Sequence, residues 1–295
     1  MKIIVTIPAY NEEKSIVRVI KNIKEVMNQN NYDYKILVVD DGSNDKTSEI
    51  AKNCGAVVYR HPKNYGLAET FKTEIEHALK LNADIIVHID ADGQYLPKEI
   101  PRLIKEVKNG YDLVLGSRFK GKIKYMSLIK RTGNIAFSKV ISQLTGLKIS
   151  DGQTGFRVFT KRVAREVPII SDHTYTQEQI IRGVKQKFRI KEVPVYFAKR
   201  KGKSRLMTNP FDYAIKAWIN IIRLYRDYKP LKFFGWSGFF IFFVGFLIGL
   251  YLTYLHFTEG ITGHFGLMML DILILSIGLQ IIIFGFLADM KGTAR

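Results

Sequence analysis

Asp90, Asp92 and Gln94 stand in close order in the stretch VHIDADGQYLP. Two carboxylates and an amide oxygen are hard donors of the kind that hold Mg2+ or Mn2+, and Asp92 is well suited to share such an ion with diphosphate oxygens. Pro8, Tyr10 and Glu12 come together in IPAYNEE, and Asp40, Asp41, Ser43, Asp45 and Thr47 in VVDDGSNDKT. The last four of these also read as turn and helix-cap residues, and Asn64 and Gly66 in HPKNYGLAET as loop-shaping ones. Cationic chemistry has three sources: Arg118 in LGSRF, Lys130 and Arg131 in SLIKRTGN, and Lys201 and Arg205 beside Ser204 in KRKGKSRL. A planar guanidinium can hold two phosphate oxygens at once, although a solvated basic face is the competing account for Arg118 and Lys130. The histidines, His61, His77, His88, His173, His256 and His264, lack the close spacing of a metal set. His88 alternates with buried strand residues and reads as a hydrogen-bonded core residue.

Strands are expected to carry these groups to one edge. ADIIV, ahead of the two acids, is the continuous apolar text of a strand covered on both faces. Further strand text lies at Lys2–Ile7, Tyr34–Val39, Ala56–Arg60, Asp84–Ile89 and Asp112–Gly116, with periodic helical stretches between. This alternation predicts an α/β fold with a doubly wound, mostly parallel sheet. Ligands bind at the carboxyl ends of such strands, where Asp90 and Asp92 emerge. Residues 119–150 are basic and loosely periodic, which suggests a mobile or surface-seeking segment. From Asn209 to Tyr228, Phe211, Ile215, Trp218, Ile222 and Tyr225 form one helical stripe with Lys216, Arg223 and Arg226 off it. Such a helix suits a membrane surface and equally a place on its own domain.

The composition hides a division within the chain. The formal net charge is +18, yet residues 233–295 hold only Lys291 and Arg295 against Glu259, Asp271 and Asp289. The surplus therefore belongs to the first 232 residues. Phe233–Thr258 contains no Lys, Arg, Asp or Glu, and Gly266–Ala288 is a second long apolar run. Each is long enough to cross a bilayer. The linker EGITGH carries no Lys or Arg, whereas Lys229 and Lys232 precede the pair and Lys291 and Arg295 follow it, so both ends are expected on the cytoplasmic side. Two membrane spans turn the basic surplus toward anionic lipid or an anionic substrate and away from nucleic acid. The opening MKIIVTIPAYNEE moves straight into strand text and is not expected to be a signal peptide. A single cysteine, Cys54, excludes an intramolecular disulfide and suits a reducing compartment. Asp271 lies near the outer end of the second span, where an intramembrane acid is a functional suspect and an interfacial one is not.

IPAYNEE, VVDDGSNDKT, HPKNYGLAET and DADGQ, in this order, resemble the family 2 glycosyltransferases of the GT-A fold, over nearly all of residues 1–206. The resemblance implies a catalytic domain at 1–206; the apolar stripe and the two apolar runs add an amphipathic juxtamembrane helix at 207–232 and two transmembrane helices within 233–290, at about 233–257 and 266–288. It implies that Asp90, Asp92 and Gln94 meet metal or nucleotide sugar, and that Asp40, Pro8, Tyr10 and Glu12 cradle the base and ribose. KRKGKSRL resembles the loop that closes over the donor diphosphate, with Ser204, Arg205 and Leu206 in place of Ser-Lys-Leu, and SDGQTGFRVFTK resembles the acceptor-side turn, with Asp151, Gln153, Thr154 and Gly155 matching. In polyprenyl-phosphate transferases, arginines at places matching Arg118 and Arg131, with Lys130 beside them, bind the lipid phosphate. Gln179 to Arg182 is followed by Gly183, where processive synthases carry Trp, which counts against a polymer-making enzyme. Glu178 beside it could orient that helix or a cation, or simply be solvated.

The resemblance implies inverting transfer of a sugar from a nucleotide donor, UDP-linked rather than GDP-linked, to dolichyl or another polyprenyl phosphate, with Asp92, Arg118 and Arg131 as the central groups. Transfer to another membrane lipid and a non-catalytic nucleotide-binding membrane module are the alternatives. Oligomeric state, a homo-oligomer included, is left open.

Overall fold

Seven strands form one sheet in the first of the chain's two units, Met1–Pro210. The structure is a computed structural model that describes residues 1–170, 175–199, 219, 221–258, 260 and 263–293. β1 (Lys2–Ala9), β2 (Asp33–Asp40), β3 (Val57–Arg60), β4 (Ile85–His88), β5 (Leu113–Ile123), β6 (Arg157–Thr160) and β7 (Ile190–Phe197) run in the order β3-β2-β1-β4-β6-β5-β7. β6 is antiparallel to β4 and β5, and the other pairs are parallel. All five strands expected from the sequence are present. β6 and β7 had no comparable signal, because Arg157 interrupts the first and Lys191, Glu192 and Pro194 the second.

Helices cover the sheet because their apolar residues recur at helical spacing. α1 (Glu13–Gln29) buries Ile16, Val19, Ile20, Ile23 and Met27, which pack with Ile3, Val5 and Ile7 of β1. α2 (Thr47–Asn53), α3 (Leu67–Lys80), α4 (Ile100–Lys108), α6 (Lys161–Glu166) and α7 (Tyr175–Lys185) complete the layers with α5 (Leu128–Thr145). Residues 119–150, expected as a mobile or surface-seeking segment, contain regular elements and leave Leu128, Ile129 and Ile135 exposed. β5 runs on to Ile123, and α5 is an 18-residue helix that buries Asn134, Phe137, Ser138, Ile141 and Leu144 and ends at Gly146 in the left-handed region, φ 74°. Polar Asn134 and Ser138 within that buried stripe are what made its periodicity faint.

The second unit, Phe211–Arg295, contains α8 (Pro230–Thr258) and α9 (Phe265–Thr293), and residues 221–228 are also helical. Most of the expected amphipathic stripe, Phe211, Ile215 and Trp218 among it, lies outside the described residues. α8 and α9 pack against each other through glycines. A Cβ on Gly238 would stand 2.8 Å from the Gly278 carbonyl oxygen, and one on Gly278 would stand 2.5 Å from the Phe242 nitrogen. Asp271 is buried at this contact: its carboxylate faces Gly249, and Oδ1 has no hydrogen-bond partner among the described residues.

Candidate active site

The turns after β1 and β2 are stitched together at the carboxyl edge of the sheet. Asn11 takes up a left-handed conformation, φ 53°, that asparagine tolerates. Its N–H donates to Ser43 Oγ at 2.7 Å, and its side-chain oxygen accepts from the Asn44 N–H at 2.7 Å. The Glu12 N–H donates to Thr47 Oγ1 at 2.8 Å, and Asp45 accepts from the N–H groups of Thr47 and Glu13. Ser43, Asp45 and Thr47 are thus turn and tie residues. Asp41 is another, accepting from His61 and from the Tyr65 and Gly66 N–H groups at 2.8, 2.8 and 2.9 Å. The result is an edge on which Pro8 and Glu12 are half-buried and Tyr10 is exposed. Asp40 does not share that exposure. It is fully buried and accepts from the Ser43 N–H and the hydroxyls of Ser43 and Ser48, so its carboxylate braces the loop instead of offering an open edge to a base.

The turn after β4 carries the acids. Asp92 accepts from the Gln94 N–H at 2.9 Å, and Gly93 at φ 72° makes the turn. The Gln94 amide nitrogen donates to the Ala198 carbonyl at 3.1 Å, which leaves the side-chain oxygen as its acceptor end. Asp90 is half-buried and has no hydrogen bond or ion pair among the described residues. Its carboxylate lies where a side chain on Gly155 would begin, 2.6 and 2.7 Å from that Cβ position. Glycine at 155 is therefore what lets Asp90 occupy this place. A half-buried carboxylate with no hydrogen bond or ion pair among the described residues, next to a second one and an amide oxygen, fits a hard divalent cation. No group of three or more His, Cys, Asp or Glu gathers among the described residues. The protein's share thus suits an ion that keeps water and phosphate oxygens in its coordination sphere.

The acceptor-side residues are arranged differently from expectation. Arg118 is almost buried and holds Asp151 bidentately, Nε and Nη2 each at 2.7 Å, with its backbone N–H on the same carboxylate at 2.9 Å. Burial opposes its charge, but Tyr95, the Asp151 hydrogen bonds and the Asp151 and Asp90 charges outweigh that and raise its pKa. Asp151 and Thr154 are fully buried, Thr154 donating to the Gly116 carbonyl at 2.7 Å. Both therefore serve to build the turn: the Asp151 carboxylate is held by the Arg118 guanidinium and Thr154 by the neighbouring backbone. Glu192, missed from sequence, braces the same turn by accepting from the Ser150 and Asp151 N–H groups, each at 2.9 Å, and from Lys120 Nζ at 2.9 Å. Gln153 and Lys130 are half-buried and Arg131 is exposed. Lys201, Ser204 and Arg205 lie outside the described residues.

Beneath the acids is a buried polar chain that the sequence reading largely missed. Glu74 accepts from Thr6 Oγ1 at 2.9 Å and meets His88 Nδ1 at 2.6 Å, and His88 Nε2 meets the Tyr175 hydroxyl at 2.7 Å. The core role expected for His88 holds. Glu178 is buried, not solvated: it receives the Ile170 N–H at 3.1 Å and Arg182 Nε at 2.7 Å, which secures the start of α7. Tyr95 is buried with its hydroxyl accepting from the Gly155 N–H at 3.2 Å, and burial raises its pKa. Polar residues in strand or helix text carry no mark of burial, and the pairings that reveal them are long-range.

The sequence profile of the family described as Glycosyl transferase family 2 matches residues 4–168. The UDP-N-acetylglucosamine–dolichyl-phosphate N-acetylglucosaminyltransferase of Methanococcus voltae is 35% identical over 64% of this chain and 82% of its own length. The dolichyl-phosphate hexose transferase of Haloferax volcanii is 31% identical over 70% of this chain and 86% of its own. Among solved structures, glucosyl-3-phosphoglycerate synthase from Mycobacterium tuberculosis, in complex with Mn2+, uridine diphosphate and phosphoglyceric acid, superposes with a TM-score of 0.60 at 19% identity, over 76% of this chain and 77% of that one. That likeness is one of fold and agrees with the GT-A sheet described above. With the family profile spanning more than half of its residues, the chain belongs to glycosyl transferase family 2 and is a glycosyltransferase.

Proposed function

We propose that this glycosyltransferase transfers a sugar from a nucleotide-sugar donor, UDP-linked in preference to GDP-linked, to a polyprenyl phosphate such as dolichyl phosphate, with inversion at the anomeric carbon. The observation that carries the reading is Asp90: a half-buried carboxylate with no hydrogen bond or ion pair among the described residues, beside Asp92 at the end of β4, where a donor diphosphate would meet the sheet. Asp90, Asp92 and the Gln94 oxygen would hold Mg2+ or Mn2+. When bound, such an ion neutralises charge on the departing nucleoside diphosphate. Pro8, Tyr10 and Glu12 line the edge on which the nucleoside would rest. The acceptor needs little activation, because a phosphate monoester with a second pKa of about 6 is already anionic at neutral pH. The protein's task is then to hold two anions in line. Arg131, exposed, and Lys130 beside it on α5 are the cations we assign to the acceptor phosphate. Arg118, paired with Asp151, acts by fixing the turn between α5 and β6 and through the field of its charge. α8 and α9 would anchor the chain in the bilayer that supplies the acceptor, with Lys229, Lys232, Lys291 and Arg295 on the cytoplasmic side.

The names of the two archaeal relatives support the acceptor class, and the first of them the UDP donor. The test is purified enzyme with Mn2+, a short polyprenyl phosphate and a panel of UDP- and GDP-sugars, read by mass spectrometry of the lipid. The expected product is a polyprenyl-phosphate sugar from a UDP donor, abolished in Asp92→Asn. Turnover with a neutral lipid and none with the phosphate would reject the acceptor assignment.

A further inference from the structure

Arg157, at the start of β6, is a fully buried cation with no carboxylate at ion-pairing distance among the described residues. Its Nη1 donates to Gln179 Oε1 at 2.9 Å and to the Thr176 carbonyl at 3.3 Å, its Nη2 donates to the Thr154 carbonyl, and its plane lies over the Tyr175 ring, 5.1 Å from the centroid. Nε has no hydrogen-bond partner among the described residues. A guanidinium buried on these terms is costly unless a charge of opposite sign lies close by. The strand register supplies one. Antiparallel pairing sets Arg157 opposite His88, and the same register two residues on sets Gly155 opposite Asp90, as the approach of Asp90 to Gly155 confirms. Residues two apart on a strand point to the same face, so Arg157 and Asp90 are diagonal neighbours across the pair. Burial lowers the pKa of Arg157, and Tyr175, Tyr95, Asp90 and Asp151 oppose that effect. The Glu74–His88–Tyr175 chain fixes the ring against which the guanidinium rests, and the Thr154 contact ties it to the backbone beside Asp90.

We propose that Arg157 is a positioning residue for the donor site, a buried countercharge to Asp90 that makes the two carboxylates a weak site for a divalent cation alone and a strong one for a cation arriving with a nucleoside diphosphate. The proposal rests on the assignment of Asp90 and Asp92 to the cation made above. Its physical basis is a single sign: in a poorly screened interior a fixed positive charge repels an incoming cation and attracts an incoming diphosphate.

The experiment measures binding rather than turnover, on the full-length protein. Mn2+ is titrated alone and with saturating UDP or GDP, its free concentration read by electron paramagnetic resonance, and the nucleoside diphosphate is titrated calorimetrically with Mn2+ present. In the unaltered protein the nucleotide is expected to tighten Mn2+ by about tenfold or more, with the reciprocal effect on the nucleotide. In Arg157→Met, Mn2+ alone should bind about fivefold tighter and the nucleotide about tenfold weaker, while Arg157→Lys recovers most of both. Equal Mn2+ affinity with and without nucleotide in the unaltered protein overturns the proposal without any variant. So does a parallel fall of both affinities in a folded Arg157→Met. Mn2+ binding that survives Asp90→Asn combined with Asp92→Asn overturns the cation site itself, a different failure from the loss of the opposed shifts.

Discussion

At the scale of residues, the acceptor side of the site is organised by one ion pair. Arg118 and Asp151 satisfy each other bidentately under near-complete burial, and Glu192 fixes the backbone on either side of Ser150. Removing one member leaves the other buried and uncompensated, which costs about 3–5 kcal/mol. Asp151→Ala should therefore lower the melting temperature by about 10 °C in a unit of this size. Arg118→Met added to Asp151→Ala should restore a good part of that loss, because both charges are then gone. Calorimetry of the single and double variants checks this, and a double variant no more stable than the single would show that the pair is not the source. The stabilising role explains why an arginine in the expected place is so little exposed.

At the scale of elements, α8 and α9 illustrate packing that depends on absent side chains. Gly238, Gly245 and Leu252 are buried on α8 at intervals of one heptad, the spacing of a left-handed helix pair. Small residues let two backbones approach closely, which matters where apolar burial gives no net drive between helices. Gly278→Leu would place its side chain against the Phe242 backbone, whereas Gly235, with nothing within 4 Å of a Cβ, has room. In detergent, Gly278→Leu should shift the unfolding midpoint of the protein down by several degrees, as expected for overpacking of about 1–3 kcal/mol, and Gly235→Leu should leave it in place. Equal effects from the two would refute the close contact.

At the scale of the whole molecule, the chain contains two helices with mean hydropathy of 2.1 and 2.5 in their most apolar stretches, of which only 22% and 11% is buried. A helix of that composition at the core of a soluble protein would be mostly covered. These instead leave Phe240, Tyr254, Phe284 and Leu287 exposed, as lipid-facing helices do. The whole protein should accordingly stay in the membrane pellet after an alkaline wash. A cysteine placed in the 259–264 linker should react with an impermeant thiol reagent added from outside. Release into the wash would remove the anchoring role, and labelling only after permeabilisation would invert the orientation.

What the sequence determined by itself was local in origin. Five strands, the apolar stripe of α1, the two long apolar helices and the gathering of turns at one edge follow from periodicity, punctuation and composition, which each segment carries within itself. The acids at the end of β4 were legible for the same reason, since a strand's length places its last residues at the sheet edge. Which polar groups face a ligand was decided only by tertiary structure. Asp40, Asp151 and Thr154 are hidden by partners in their turns and neighbouring strands, while Arg157 and Glu74 acquire meaning from β4–β6 register and from a helix distant in the chain. The energy of a charged or hydrogen-bonding side chain depends on what surrounds it. For these residues that surrounding does not exist until the sheet has closed.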